Sequence, residues 1–481
     1  MNKSIRGVSL FALLLIVALL VNLTIIQGFS EDKYAKNPKN MRGYYELQTV
    51  PRGQIFAGNT VLAESNANED GVYSRSYPVN SAAWGPVTGY ISQNFGASQL
   101  EASYNEVLNG TDPALFTTNW VDLLTGKQPD GANVEVTVDP ALQQLAYDQL
   151  TGPGYEGAAV AIEPSTGRIL SMASSPSYNP AGIVDPVNGQ ENWNALQEQA
   201  GNPMLNHATQ ETLPPGSIFK IITTAAGLQN GYSPDSKLTG ANSITLPGTN
   251  TELTNYDNQV CGGQQEVTLT TAFSLSCNTA FVQMSTDIGG DELAKAADAF
   301  GVGQSYDLGI ENAAGTLGEL GTDLAAVGQS AIGQRDVAMS ALQAASMVSA
   351  IANDGSRMEP YLVNRVTDAS MDTIRETKPK EASRAVDEDI ARTIRELMFA
   401  SERNTAGYDG NGFASKTGTA EHGEGLAPHT WYVAFDPNKD IAVAVVVKNG
   451  GNLGQSATGG QVSAPIGRAI LNAYAGASGG E

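Results

Sequence analysis

Two stretches, GAAVAIEPSTGRILSMAS (157–174) and WYVAFDPNKDIAVAVVVK (431–448), decide the fold. Each is a pair of apolar, strand-like runs joined by a polar turn, Pro164-Ser165-Thr166-Gly167 in the first and Asp436-Pro437-Asn438-Lys439 in the second. The chain between them reads as mainly helical. SALQAASMVSAIANDG (340–355) is small and apolar nearly all round, which predicts a buried helix ended by Gly355. Strands at both ends of a region with helices between them imply one sheet closed by distant segments, an α+β domain. Upstream, VEVTVDPALQQLAYDQL (134–150) alternates as a strand and then turns helical, with Asp139 as the N-cap. From residue 31 to 150 short strand-like pieces are broken at points such as Tyr77-Pro78 and Gly131-Ala132-Asn133. The tail AGASGGE is low in complexity and expected to be disordered.

At 481 residues the chain has room for two or three domains. A net charge of −23 argues against nucleic acid as a partner, because phosphate backbones would repel it. Lys3 and Arg6 precede about twenty largely apolar residues, Gly7 to Ile26, enough helix to cross a bilayer with the basic flank inside. A cleaved signal peptide is the alternative, but the run exceeds the usual signal core and Gly28-Phe29-Ser30 is a poor cleavage site. The expectation is a retained single-pass anchor in the cytoplasmic membrane, N-terminus inside, with the rest outside the cytoplasm. Cys261 and Cys277 then sit where disulfides form, and bridging them closes a loop of about 15 residues, worth roughly 3 kcal/mol. A bridge is expected, with two buried thiols as the alternative. Three histidines without tight Cys/His spacing support no metal site.

ETLPPGSIFKIITTAAGL (211–228) places Lys220 among Phe219, Ile221 and Ile222, three residues after Ser217. Residues three apart share a helix face, so the amine can reach the hydroxyl and, if neutral, take its proton. Neutrality at about pH 7 requires the pKa to fall about 3 units from roughly 10.4, at about 4 kcal/mol. Apolar neighbours and a second nearby cation both push that way. The Pro-Pro-Gly entry puts Ser217 at a helix start, where free N–H groups can stabilise an oxyanion. Taken alone, Ser-x-x-Lys is weak: Ser30-Glu31-Asp32-Lys33 has the same spacing, and a snorkelling surface lysine is the bland reading. Two further motifs follow it. In SLSCNTAFVQM (274–284), an extended Ser276-Cys277-Asn278 would send Ser276 and Asn278 one way and Cys277 the other. FASKTGTAEHG (413–423) holds Lys416-Thr417-Gly418-Thr419, whose lysine and hydroxyls on a strand edge suit a carboxylate, with Gly418 allowing close approach to the backbone.

The order Ser-x-x-Lys, Ser-x-Asn, Lys-Thr-Gly is far more specific than any one member, and with it the chain resembles the class B penicillin-binding proteins, especially their actinobacterial division-associated branch. VPRGQIF (50–56), GASQLEASYNEVLNG (96–110), VTVDPALQQ (136–144), AIEPSTGRILSMASSPSYNP (161–180) and AIGQ (331–334) also match family segments. The chain departs from the family at Ala57-Gly58-Asn59 and Asn206-His207-Ala208, away from the three motifs.

The resemblance implies an α+β multidomain protein: an anchor over 1–30, an extended N-terminal pedestal of dimerisation type over 31–150, and a transpeptidase domain over 151–475. That domain would have a five-stranded antiparallel sheet between helical layers, with a flexible tail over 476–481. It further implies a monofunctional peptidoglycan D,D-transpeptidase without a cofactor. Ser217 would attack the terminal D-alanyl-D-alanine of a stem peptide, with Lys220 as base and Ser276 and Lys416 as proton relay. Asn278 would bind the substrate backbone, Thr417 and Thr419 beside Gly418 the terminal carboxylate, and the N–H groups of Ser217 and Thr419 would form the oxyanion hole. β-Lactams would acylate Ser217. A membrane glycosyltransferase of the shape, elongation, division and sporulation group is the implied partner. The rivals are a D,D-carboxypeptidase or serine β-lactamase, for which no water-activating carboxylate can be assigned, and a non-catalytic scaffold or β-lactam sensor, which would be expected to have lost a motif residue or to carry cytoplasmic signalling segments.

Overall fold

The computed structural model describes residues 3–29, 49–79, 81–117 and 130–474. Ser30-Glu31-Asp32-Lys33, the expected start of the pedestal and the Gly-rich tail lie outside them. Helix α1 (Lys3–Phe29) contains the apolar segment Ile5–Ile26 of 22 residues. At 1.5 Å per residue that is about 33 Å, slightly more than the ~30 Å hydrocarbon core of a bilayer. Its large side chains, such as Phe11, Leu15 and Leu19, are exposed. Among the described residues no other helix is long and apolar enough to span a membrane.

Two sheets carry the architecture. Their strands in chain order are β1 (Ile55–Ala57), β2 (Thr60–Ala67), β3 (Tyr73–Ser76), β4 (Asn133–Val136), β5 (Gly157–Ile162), β6 (Ile169–Ser175), β7 (Val363–Thr367), β8 (Thr373–Glu376), β9 (Ala414–Ala420), β10 (His429–Asp436) and β11 (Ile441–Val447). The principal helices after α1 are α2 (Pro140–Thr151), α3 (Lys220–Gln229), α4 (Asn278–Ile288), α5 (Ala341–Ala352), α6 (Glu388–Arg403) and α7 (Gly459–Ala473).

The first sheet has six strands in the order β8-β7-β4-β1-β2-β3. Charge is buried beside it. Glu101, fully buried, accepts from Arg52 Nε at 2.8 Å and Arg75 Nε at 2.6 Å. Burial alone would raise its pKa, but the guanidinium groups of Arg75 and Arg52 outweigh that and hold it below the usual carboxylate range. The Arg-Gly of VPRGQIF has a physical reason here. Arg52 fills this ion cluster, and a Cβ on Gly53 would lie 1.9 Å from the Ala132 carbonyl oxygen.

The second sheet is the expected five-stranded antiparallel one, in the order β9-β10-β11-β5-β6. Pleating divides its side chains between two cores. Trp431, Val433, Phe435, Ala442, Ala444 and Val160 face one, which α5 covers. Tyr432, Ala434, Val443, Val445, Ala159 and Ala161 face the other, covered by α2 and α7. Burial on both faces is why these strands read as unbroken apolar runs without polar alternation. Asp139 caps α2 as expected, accepting from the Ala141 and Leu142 N–H groups. Ser340 and Gln343 form a capping box at the start of α5, and Gly355, at φ 89°, closes its end by donating to Ala350 O at 2.8 Å.

The chain crosses the expected division at residue 150 in both directions. Helix α2, read as the end of the pedestal, packs on the second sheet through Leu142, Ala146 and Leu150. The β7–β8 hairpin returns from the later region to extend the first sheet, with Val366 opposite Val134.

Candidate active site

The serine sits on a short 3-10 turn, Gly216–Phe219, that runs straight into α3. Ile218 and Phe219 are fully buried, which leaves Ser217 as the half-exposed step of the turn. Four contacts hold this turn. Leu213 and Met339 exchange backbone hydrogen bonds of 3.0 and 2.9 Å. Gly216 N–H donates to Gly333 O at 3.0 Å, and the Trp431 indole donates to Pro214 O at 2.9 Å. Gly418 also packs closely on the turn: a Cβ there would meet Pro215 O at 2.7 Å. The glycine of Lys-Thr-Gly, expected to admit a ligand, thus also admits the serine turn. Gly333, from the AIGQ segment, has φ 72°, and a Cβ on it would lie 2.2 Å from Gly216 O.

Lys220 is fully buried. Its Nζ donates to Ser276 O at 2.7 Å and Asn278 Oδ1 at 2.8 Å, with Ser276 Oγ at 3.2 Å. Lys416 Nζ donates to the same Ser276 Oγ at 2.9 Å and to Thr417 O at 3.1 Å. One hydroxyl therefore bridges two buried amines. Burial, and then the charge of Lys416, holds the Lys220 amine well below its ordinary range. Burial lowers Lys416 to about 7. The Phe281 ring lies 5.3 Å from Lys220 Nζ and the Phe273 ring 5.8 Å from Lys416 Nζ. Neither aromatic was singled out by the sequence, which offers no signal for a ring that lines a site from a helix's buried face.

Not every contact is the expected one. Among the described residues the Ser217 hydroxyl has no hydrogen-bond partner, and the Lys220 amine is turned to Ser276 and Asn278. The Ser-x-Asn triplet is not extended either. Ser276 has φ 60°, Cys277 is the N-cap of α4, and Asn278 is its first residue. A left-handed residue followed by a helix start brings both side chains to Lys220, while Cys277 turns back to bond Cys261, with Cα atoms 5.8 Å apart. Asn278 Nδ2 donates to Thr254 O at 2.9 Å, which orients its carbonyl toward the amine. Strand β9 is the open edge of the sheet, and Thr417 and Thr419 are half-exposed along it. On β9 the Ser415 hydroxyl bonds Glu402, a fully buried carboxylate that also accepts from Tyr432 at 3.1 Å and Arg468 at 2.8 Å. Nothing local in the sequence marked that network, because its members come from α6, β9, β10 and α7.

A serine on a helix-entry turn, with two buried amines sharing a hydroxyl beside it, defines the class of Ser-Lys acyl-transfer sites. The chain belongs to the penicillin-binding protein transpeptidase family: it matches the penicillin binding protein transpeptidase domain over residues 157–472 and the penicillin binding protein A dimerisation domain over 52–134. It is 43% identical to the peptidoglycan D,D-transpeptidase PbpA of Mycolicibacterium smegmatis, over 98% of this chain and 99% of that one. The PbpA of Mycobacterium tuberculosis is 41% identical at the same coverage. Among solved structures, the penicillin G acyl-enzyme complex of penicillin-binding protein A from M. tuberculosis superimposes with a TM-score of 0.83 at 41% identity, covering 88% of this chain and 99% of that one.

Proposed function

We propose that this chain is a membrane-anchored peptidoglycan D,D-transpeptidase acting through a Ser217 acyl-enzyme. The observation that carries the mechanism is the Ser276 hydroxyl, shared at 3.2 and 2.9 Å by two buried amines. A neutral Lys220 amine has two N–H groups and one lone pair. Ser276 O and Asn278 Oδ1 take the two hydrogens, which leaves the lone pair to accept the proton of Ser217 as it attacks the carbonyl of D-alanyl-D-alanine. The oxyanion forms between the N–H groups of Ser217 and Thr419. The proton then passes through Ser276, supported by Lys416, to the nitrogen of the leaving D-alanine. In the second half an amine from a neighbouring stem peptide attacks the ester, its proton returns along the same path, and Ser217 is released with the cross-link made. Thr417 and Thr419 at the open edge hold the terminal carboxylate, and Gly418 keeps that edge close to the serine turn. A β-lactam enters the first half-reaction in place of the stem.

The basic flank of Lys3 and Arg6 supports a cytoplasmic N-terminus for α1, with the catalytic domain outside. We assign residues 31–150 to the pedestal with α2 docked on the catalytic sheet, and 151–475 to the catalytic domain with the β7–β8 hairpin returned to the pedestal sheet. A polymerising membrane glycosyltransferase would supply the strands and meet the enzyme through anchor and pedestal. The test is intact mass after mixing the full chain with benzylpenicillin, beside Ser217→Ala. A persistent single adduct that the variant lacks is expected. Rapid return to the free mass with penicilloate accumulating would make the chain a β-lactamase, and no adduct in either protein would leave a scaffold.

A further inference from the structure

A groove of about 740 Å³ runs between the pedestal, the helix Gly189–Glu198 and the loop 306–311, away from Ser217. Its lining combines aromatic rings with side-chain amides and carboxylates: Tyr90 and Trp193, then Gln99, Gln197, Asp307 and Glu311. The rings are held rigidly. Phe95 stacks on Trp193 at 4.5 Å between centroids, and Tyr90 meets the indole edge-on at 5.8 Å. Gln99 is the anomaly. Its backbone is left-handed, at φ 48°, and its buried Oε1 has no hydrogen-bond partner among the described residues. A strained residue that holds an unsatisfied acceptor in a cleft points to a ligand that donates a hydrogen bond there.

We propose that this groove binds the glycan strand of peptidoglycan, a neutral β-linked N-acetylhexosamine polymer, and so holds the substrate whose stem peptide Ser217 attacks. The inference rests on the transpeptidase reading for the identity of the polymer. The chemistry matches in three respects. Pyranose rings present C–H faces that pack on aromatic side chains. Acetamido N–H and hydroxyl groups donate to acceptors such as Gln99 Oε1, Asp307 and Glu311. The acidic rim, on a chain of net charge −23, disfavours a polyanion and tolerates a neutral sugar. The reach required is of the same order as a stem peptide. Gln210, on the groove wall and hydrogen-bonded to Glu311 at 2.6 Å, lies seven residues before Ser217, a span of at most about 25 Å. A stem of four or five residues extends roughly 13 to 18 Å and covers much of that distance.

The experiment uses the full chain in detergent, with chitohexaose as a neutral probe of the β-linked N-acetylhexosamine backbone. Binding is measured for wild type, Trp193→Ala and Gln99→Gly, and benzylpenicillin acylation is followed alongside. Glycine accepts the left-handed backbone, so Gln99→Gly removes the acceptor without loss of thermal stability even if Trp193→Ala perturbs local packing. Wild type should bind the hexamer, both variants should bind at least tenfold more weakly, and acylation rates should stay within twofold. A wild type that acylates normally but does not bind the sugar overturns the proposal, as does undiminished binding in Gln99→Gly. Groove-dependent binding of a free stem peptide without binding of the hexamer would reassign the groove to peptide and overturn it too. Failure of acylation in wild type would sink the reading of Ser217, while the sugar titration would still decide the groove.

Discussion

Lys416 shows how burial converts a common residue into a reagent. Its amine is almost wholly buried, and its pKa falls from the ordinary 10.5 to about 7. Between those two values the unfolded chain holds a proton that the folded chain has released, so stability rises with pH across that window and the full penalty is present below about pH 7. The penalty is on the order of 5 kcal/mol. Lys416→Met should therefore unfold at higher denaturant than wild type at pH 6, with the advantage shrinking toward pH 10, while benzylpenicillin acylation falls by roughly 10²-fold or more. A variant no more stable than wild type at pH 6 would mean that the amine keeps its water in the folded state. In the wild type the loss of the Lys416 proton near pH 7 should appear as an inflection in the acylation rate, while Lys220, held well below its ordinary range, stays neutral across it. A rate flat from pH 5.5 to 8.5 would take Lys416 out of the proton path.

At the scale of elements, the site is a junction of short turns, each closed by a residue that can adopt what the junction needs. The serine turn is clamped by Gly333 on one side and Gly418 on the other. An alanine at 333 would combine a positive φ with a Cβ 2.2 Å from the Gly216 oxygen, well inside van der Waals contact distance. Gly333→Ala should cost about 1–3 kcal/mol of stability and push the serine turn off its position. A displacement near 1 Å lowers acylation by roughly 10²-fold. Unchanged acylation kinetics in a folded variant would show that the clamp does not position Ser217. The same logic explains why Ser-x-Asn was legible as a motif but not as a geometry. Alternation along a strand and a left-handed kink into a helix both bring the first and third side chains together, and three residues cannot distinguish them.

Across the whole molecule, two sheets share strands and helices that are far apart in the chain, and the buried ion cluster at Glu101 belongs to the sheet remote from the chemistry. Removing one partner of a buried pair leaves uncompensated charge, so Glu101→Gln should destabilise the full chain by about 3–5 kcal/mol in urea unfolding. Acylation by the folded fraction should stay within twofold. A large loss of acylation at unchanged stability would reveal coupling from the first sheet to Ser217.

The sequence by itself determined the membrane-length helix, the two hairpins of the central sheet, the cap at Asp139 and the identities of the motif residues Ser217, Lys220, Ser276, Asn278 and Lys416. The helix, hairpins and cap are local properties, set by periodicity and turn chemistry, whereas the motif residues were legible through the order of three separate motifs and the family resemblance that order carries. Only the tertiary structure decided that Ser276 bridges Lys220 and Lys416, that Phe273 and Phe281 wall the amines, that α2 crosses to the second sheet, and that β7 and β8 return to the first. Those arrangements depend on which buried faces meet. An apolar face is complementary to many others until packing of the whole chain selects one, so no single stretch of sequence encodes the choice.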